Sequence, residues 1–266
     1  MNKPLFRIVL GALTLPLACS GDVVAPPQVS SPRQIDAAKM QREVEEAESN
    51  FLRGIQFSEG DGVAKDYSAA AQFYRKAADA GYAPAQYNLA HSYENGLGVE
   101  RDLSQAAAWY RKAAEQGDPE AQNNLGTLYA SGQGVPRSDA EAVRWYRLAA
   151  DQSDPEGTTN LGMMYLQGRA VKRDFAQAFE LFSKAAGQDY PVAQNNLALM
   201  YANGEGVARD YQWAYAWMDV AAAQIPRCAE LRDKVGKEMT AGEIAKAREF
   251  AARKREEIAQ KGKESK

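Results

Sequence analysis

The chain repeats itself every 36 residues, and this period restricts what it can fold into. Small residues recur at one position of the period, leucines four residues later, and tyrosines four residues after that. The three columns are Ala85, Ala121, Gly157 and Ala193; Leu89, Leu125, Leu161 and Leu197; and Tyr93, Tyr129, Tyr165 and Tyr201. A fixed period of this length predicts a stack of supersecondary units rather than one closed globule.

Composition and charge narrow the classes of function. Hydrophobic residues make up 45% and charged residues 25%, which allows a sizeable core. The formal net charge of −3 gives no overall electrostatic case for nucleic-acid binding. Because the chain has only two cysteines and one histidine, His91, a small disulfide framework is excluded, and so is a site that needs two imidazoles.

Residues 1–18 predict a signal peptide. Lys3 and Arg7 precede an apolar run over residues 8–18, which is too short for a permanent membrane span. Cys19, directly after this run, fits the lipid-bearing cysteine of a lipoprotein signal. The first interpretation therefore predicts a membrane-anchored lipoprotein that faces the periplasm.

Ordinary secretion is the alternative. Cleavage after Ser20 would use Ala18 and Ser20 as the small pair, and Pro16 stands where a lipoprotein signal has leucine. The product would be a soluble periplasmic or secreted protein, so both readings export the chain. The polar, proline-bearing residues 19–31 predict a flexible linker.

Each period contains two helical patterns separated by a turn. In the second unit the first helix is predicted from about Pro84 to Asn95, and Gly96 closes it in the left-handed conformation. Asp102 then begins the second helix as a cap for its free amides. The same position holds Asp66, Ser138, Asp174 and Asp210 in the other units. Since serine has the same capping chemistry, this column predicts helix caps rather than a metal or acid/base site.

The second helix of each unit carries bulky and small residues at helical spacing. In the second unit these are Ala106, Trp109, Tyr110, Ala113 and Ala114. Trp145 and Trp217 recur in the column of Trp109, and this column predicts burial between helices rather than a ligand-stacking platform.

These columns together resemble the Sel-one-like repeat, a relative of the tetratricopeptide repeat. The pattern is Ala-x-x-x-Leu-Gly-x-x-Tyr-x-x-Gly-x-Gly-Val-x-x-Asp followed by Ala-x-x-Trp-Tyr-x-x-Ala-Ala, and the third unit follows it from Ala121 to Ala150. The resemblance covers residues 49–225 and implies an all-α, right-handed α/α superhelical solenoid of about five helix-turn-helix repeats. The predicted repeats are 49–84, 85–120, 121–156, 157–192 and 193–225.

The flanks of the repeats predict helical caps. An amphipathic pattern over residues 32–48 predicts an N-terminal cap helix, and residues 226–260 predict C-terminal cap helices. Thr240 and Glu243 have the spacing of a capping box. Residues 261–266 predict a disordered basic tail. Inside the stack, Ala170 replaces the second turn glycine of the fourth unit, so a different or strained turn is expected there.

The sequence contains no recognised catalytic motif. No serine is followed three residues later by lysine, so the serine β-lactamase signature is missing. Cysteine-rich secreted relatives are linked to penicillin binding, but they carry paired cysteines that this chain lacks. We therefore predict a non-enzyme with no cofactor and no metal. Cys228 predicts a buried inert thiol, with an exposed dimer-forming cysteine as the alternative.

Repeat stacks bind partners along a concave surface, and the resemblance implies that the first helix of each pair lines it. Positions half a turn from the packing columns are expected to face this groove. The predicted groove residues are Tyr87, His91, Asn123, Thr127, Thr159, Met163, Leu166, Asn195 and Leu199. An apolar strip there is typical of a surface that takes a peptide or helix. The alternative is a face that is merely tolerant of solvent, or is buried by curvature.

The resulting prediction is a protein–protein interaction scaffold or adaptor in the bacterial cell envelope. Its partner would be another protein or peptide, with membrane attachment through Cys19 and no nucleic acid. An envelope enzyme acting on β-lactams or peptidoglycan, or a glycan- or peptidoglycan-binding module, remains an alternative because fold alone does not decide function.

Overall fold

The structure is a computed structural model that describes residues 32–264, with side chains over residues 36–260. This range consists of twelve α-helices and contains no strand, as predicted for an all-α solenoid. The helices are α1 Pro32–Glu59, α2 Tyr67–Asp79, α3 Ala83–Asn95, α4 Leu103–Glu115, α5 Pro119–Ser131, α6 Asp139–Asp151, α7 Pro155–Gln167, α8 Phe175–Ala186, α9 Pro191–Asn203, α10 Tyr211–Ala221, α11 Arg227–Gly236 and α12 Ala241–Glu264. The predicted signal peptide, the linker and Cys19 lie outside the described residues.

Two predicted boundaries differ from the structure. The cap expected at residues 32–48 and the first helix of the first repeat form one continuous helix, α1. At the other end, α12 continues to Glu264, so residues 261–264 are helical where a disordered tail was predicted.

The helices form two compact units whose boundary falls inside α4, between Lys112 and Ala113. In the first unit, α1 packs on α2 and α2 packs on α3. In the second unit, each helix from α5 to α10 packs on the next, and α10 also contacts α11 and α12. Each unit is thus a succession of neighbouring helix pairs, as the repeat requires.

The acidic column caps helices, as predicted. Asp66 Oδ1 accepts the amide hydrogens of Ser68 and Ala69 at 2.8 and 3.0 Å. Asp102 Oδ1 does the same for Ser104 and Gln105, at 2.9 and 3.1 Å. These carboxylates therefore satisfy first-turn amides that have no partner inside the helix.

The turn between the two helices of a repeat needs glycine for two reasons. Gly132 and Gly204 end α5 and α9 in the left-handed conformation, with φ of 72° and 75°. The second turn glycine is required by close approach, since a Cβ on Gly206 would lie 2.3 Å from the Phe175 carbonyl oxygen. The repeat can thus change direction within a few residues.

The fourth repeat solves the same turn with alanine, as the substitution predicted. Ala170 has a φ of 53°, which L-residues with a side chain adopt at a cost. Arg169 holds this turn: its Nε donates to Asp139 Oδ2 at 3.0 Å and its Nη2 to the Ala130 carbonyl at 3.1 Å. The hydrogen bond from Arg169 lowers the pKa of the Asp139 carboxyl.

The core follows the predicted columns with one exception. The alanine and leucine columns and the tryptophans Trp109, Trp145 and Trp217 are buried, so the tryptophans pack between helices. The tyrosine column is only half-buried. In the fourth repeat, Arg147 donates to the Tyr165 hydroxyl at 3.3 Å.

A buried glutamine connects consecutive helix pairs, a contact that the sequence analysis did not identify. Its Nε2 donates to the carbonyl of the second alanine in the preceding helix's Ala-Ala pair. The pairs are Gln86 to Ala78, Gln122 to Ala114 and Gln194 to Ala186, at 3.2, 3.1 and 3.4 Å. The fourth repeat has Thr158 at this position, and Lys184 Nζ donates to the corresponding carbonyl of Ala150 at 3.0 Å.

The last repeat is closed by α11 and α12. Trp213 occupies a position that is Gln105, Glu141 and Gln177 in earlier repeats, and its ring contacts Phe250 of α12 with centroids 3.7 Å apart. The outer face of α10 is therefore apolar because α12 covers it. Thr240 and Glu243 form the predicted capping box, with reciprocal hydrogen bonds of 2.7 and 3.3 Å.

Asp219 of α10 attaches both closing helices. It accepts from Arg232 of α11 at 2.7 Å and from Arg255 of α12 at 2.9 Å. Burial disfavours the charged carboxylate, but the two guanidinium groups outweigh burial, and the pKa of Asp219 is lowered. Between residues 32 and 264, no helix combines the length and apolar character that a membrane span requires.

Replacing Ala170 by glycine is expected to stabilise the protein. The change relieves about 1–2 kcal/mol of left-handed strain and loses about 0.4–1 kcal/mol by loosening the unfolded chain, which leaves a net gain of up to about 1.6 kcal/mol. The urea midpoint followed by circular dichroism should rise accordingly.

Gly206→Ala is the matched control, and it should lower the midpoint because its Cβ would collide with the Phe175 carbonyl. A midpoint for Ala170→Gly below that of the unmodified protein would contradict the strain interpretation.

Candidate functional site

The first helices of the third, fourth and fifth repeats lie side by side in the second unit, with α5 contacting α7 and α7 contacting α9. Each has one stripe of four positions at helical spacing that is not fully buried. These positions, which we call the open face, are Glu120, Asn124, Thr127 and Ser131 on α5; Glu156, Asn160, Met163 and Gln167 on α7; and Val192, Asn196, Leu199 and Asn203 on α9. All of them are exposed or half-buried.

Part of the predicted groove coincides with the open face. Thr127 is exposed, and Met163 and Leu199 are half-buried at the corresponding positions of the next two repeats. Leu166 is also half-buried but lies off the stripe, where it packs against the apolar core around α9. In the first unit, His91 is half-buried, and burial lowers the pKa of its imidazole.

Two predicted groove residues are wrong, because Asn123 and Thr159 are each only 2% exposed. Their column points along the stack rather than outward. Asn123 Oδ1 accepts from Asn160 Nδ2 of α7 at 2.8 Å, and Thr159 Oγ1 donates to the Pro155 carbonyl at 2.6 Å.

The same column also makes packing contacts in the fifth repeat and in the first unit. Asn195 is half-buried, and its Oδ1 accepts a hydrogen bond from Cys228 Sγ of α11 at 3.4 Å. Cys228 itself is 1% exposed, as the buried-thiol interpretation predicts, and burial raises the pKa of the thiol. In the first unit the half-buried Tyr87 ring lies 5.6 Å from that of Tyr110. These positions therefore serve helix packing.

The sequence reasoning missed the asparagine column of the open face. Asn88, Asn124, Asn160 and Asn196 recur with the same period as the core residues, each directly before a core leucine. An identical polar residue in four consecutive repeats was the available signal. The exposed column Ser131, Gln167 and Asn203 was missed because its residues share polarity but not identity.

The chemistry of the open face is amide hydrogen bonding with one apolar end. Its only charged residues are Glu120 and Glu156, and it contains no lysine or arginine. Val192 is 41% exposed and lies on the same helix as Leu199, so the apolar character concentrates toward α9. Elsewhere in the described range, no group of three His, Cys, Asp or Glu residues is placed to hold a metal ion.

Comparison with known families and structures places this architecture among relatives. The Sel1 repeat matches five consecutive segments, which are residues 47–82, 83–118, 119–154, 155–190 and 191–225. A protective antigen with an SLR fold from uropathogenic Escherichia coli is 35% identical, with a TM-score of 0.76 over 85% of this chain and 50% of that one. The chain thus spans half the length of the E. coli antigen.

A second solved structure is similar over a larger share of its own length. A Sel1 repeat protein from Oxalobacter formigenes is 34% identical, with a TM-score of 0.64 over 72% of this chain and 79% of that one. A search of curated proteins found none that matches the chain.

Proposed function

Because the chain belongs to the Sel1 repeat family, a non-enzymatic scaffold fold whose members generally bind other proteins, we propose that it binds a protein partner through the open face. The observation that carries this proposal is the stripe on α5, α7 and α9. Its side chains are exposed or half-buried in three consecutive repeats, and some of them, such as Thr127 and Asn160, also bond to a neighbouring helix. The fully exposed positions of this surface are available for a partner.

The composition of the open face supports a protein partner. Amide side chains offer directional hydrogen bonds, and Val192, Met163 and Leu199 offer apolar contact beside them. Protein interfaces combine these two properties, with an apolar centre inside a polar rim.

Charge on the open face is expected to weaken the complex. We propose Gln167→Arg and Val192→Glu, because both side chains are exposed on the open face. The partner, first identified by crosslinking in the native envelope, should bind each variant at least about 10-fold more weakly, as expected for a loss of about 1.4 kcal/mol. Calorimetry with the purified partner measures the difference.

Leu148→Glu is the matched control, since Leu148 is 39% exposed on α6, outside the open face. Circular dichroism should show equal helicity for all three variants. Unchanged affinity for both open-face variants would remove this surface as the binding site.

The proposed function involves no chemical step. The sequence has no Ser-x-x-Lys motif, which carries the nucleophile of serine β-lactamases and penicillin-binding proteins. A fluorescent penicillin is therefore expected to leave the purified protein unlabelled, with a serine β-lactamase as the positive control. Stoichiometric labelling would show that the protein is an acylating enzyme.

We also propose that the protein acts in the cell envelope, anchored through a lipid on Cys19. The basic start, the apolar run and the small residue before Cys19 support this location.

Cys19→Ser should convert an anchored protein into one that no longer sediments with membranes. Cells grown with labelled palmitate should incorporate label into the unmodified protein only. If both forms incorporate no label and remain in the soluble envelope fraction, ordinary secretion replaces the lipoprotein proposal.

A further inference from the structure

We propose that the first unit contains a binding site for a single water molecule, which joins α1 and α2 to α3. The site is a cavity lined by Ser58 of α1, Tyr74 of α2, and Asn88 and Ser92 of α3. None of these four residues is more than 5% exposed. The inference is independent of the open face, which lies in the second unit.

The cavity follows from a change of residue in one core column. Ser92 stands where the later repeats have Leu128, Met164 and Met200, which are all buried. Because serine is shorter than leucine or methionine, the second repeat leaves space that the later repeats fill. The cavity has a volume of about 10 Å³, and a site for one water molecule needs about 10–15 Å³. The space therefore has the size of one water molecule.

Asn88 supplies a donor that needs a partner in this space. Its side chain is 5% exposed, and among the described residues its Nδ2 has no hydrogen-bond partner. The corresponding asparagines of later repeats find partners on the preceding first helix. Asn160 Nδ2 donates to Asn123 Oδ1 at 2.8 Å. Asn196 Nδ2 donates to Met163 Sδ at 3.6 Å.

The first repeat has no such acceptor to offer to Asn88. Phe51 and Ile55 of α1 occupy the positions that correspond to Asn123 and Met163, and both are buried hydrocarbon side chains. A donor left without a partner is costly in a buried position. A bound water molecule supplies the missing acceptor, as ordered waters commonly do for buried polar groups.

The serine hydroxyls of the cavity have already used their hydrogens. Ser92 Oγ donates to the Asn88 carbonyl at 2.8 Å, and Ser58 Oγ donates to the Ile55 carbonyl at 2.8 Å. The 3.1 Å hydrogen bond between Ser58 Oγ and the Tyr74 hydroxyl is then donated by Tyr74. The serine oxygens can therefore only accept further hydrogen bonds.

These requirements select water among small ligands. A ligand here meets the amide donor of Asn88 on one side and the accepting hydroxyl oxygens on the other. The two sides are close together: burial raises the pKa of the Tyr74 hydroxyl, and the neighbouring Ser58 and Asn88 side chains oppose this rise. An anion cannot donate to the oxygens, and a metal cation cannot accept from the amide. Water does both.

A crystal structure of the protein tests the site directly. High-resolution density should show a water molecule at hydrogen-bond distance from Asn88 Nδ2, about 2.7–3.2 Å. The variant Ser92→Leu, which introduces the residue type of the third repeat, should lose this density. An Asn88 amide bonded directly to the Tyr74 hydroxyl, with no water beside it, would overturn the proposal. An anomalous peak in the cavity of a bromide-soaked crystal would do the same, because it would identify an anion site.

Stability in urea, followed by circular dichroism, provides a second measurement. Ser92→Leu should lower the midpoint, because the larger side chain displaces the water and leaves the Asn88 donor buried without a partner. Adding Asn88→Leu removes that donor, so the double variant should recover part of the loss. An equal effect of Asn88→Leu with and without Ser92→Leu would show that no water couples the two positions. Ser49→Leu, on the exposed surface of α1, is the matched control and should leave the effect of Asn88→Leu unchanged.

Discussion

The close approach of successive helices is the constraint on which the rest of the structure depends. Alanine at paired positions lets the backbones come near each other, and a buried glutamine then bonds across to the alanine carbonyl. A buried amide without a partner would be costly, so this contact fixes the register of one helix pair on the next. In the fourth repeat, which has Thr158 instead of glutamine, Lys184 donates to the corresponding carbonyl.

The sequence predicts the interior of the fold well because the same demand is repeated in every unit. Five copies of a turn and a cap average out local exceptions, so the helix ends and the core columns could be read directly. Ala170 is an instructive case, since a single departure from the column correctly indicated an unusual backbone conformation. The continuous helix α1 was not predicted because nothing in a local pattern tells a cap helix from the helix that follows it.

The candidate surface was harder to predict, because its definition depends on neighbours rather than on one helix. A position half a turn from the core can point outward or toward the next helix, and helical periodicity does not distinguish the two. Asn123 and Thr127 are four residues apart, yet one is buried against α7 and the other is exposed. Only the packing of α5 on α7 decides between them. The asparagine column could have been found by asking which polar residues keep their identity from repeat to repeat.

Because α10 packs against both closing helices, the positions at which a further repeat can be added to such a chain are restricted. Earlier second helices keep polar outer residues, whereas Trp213 and Asp219 of α10 are already engaged by α12 and α11. A repeat appended after the fifth would find that surface taken, while one duplicated between existing repeats would find compatible neighbours on both sides. Lengthening in this lineage should therefore proceed by internal duplication, with the terminal pair inherited unchanged as a fixed end piece.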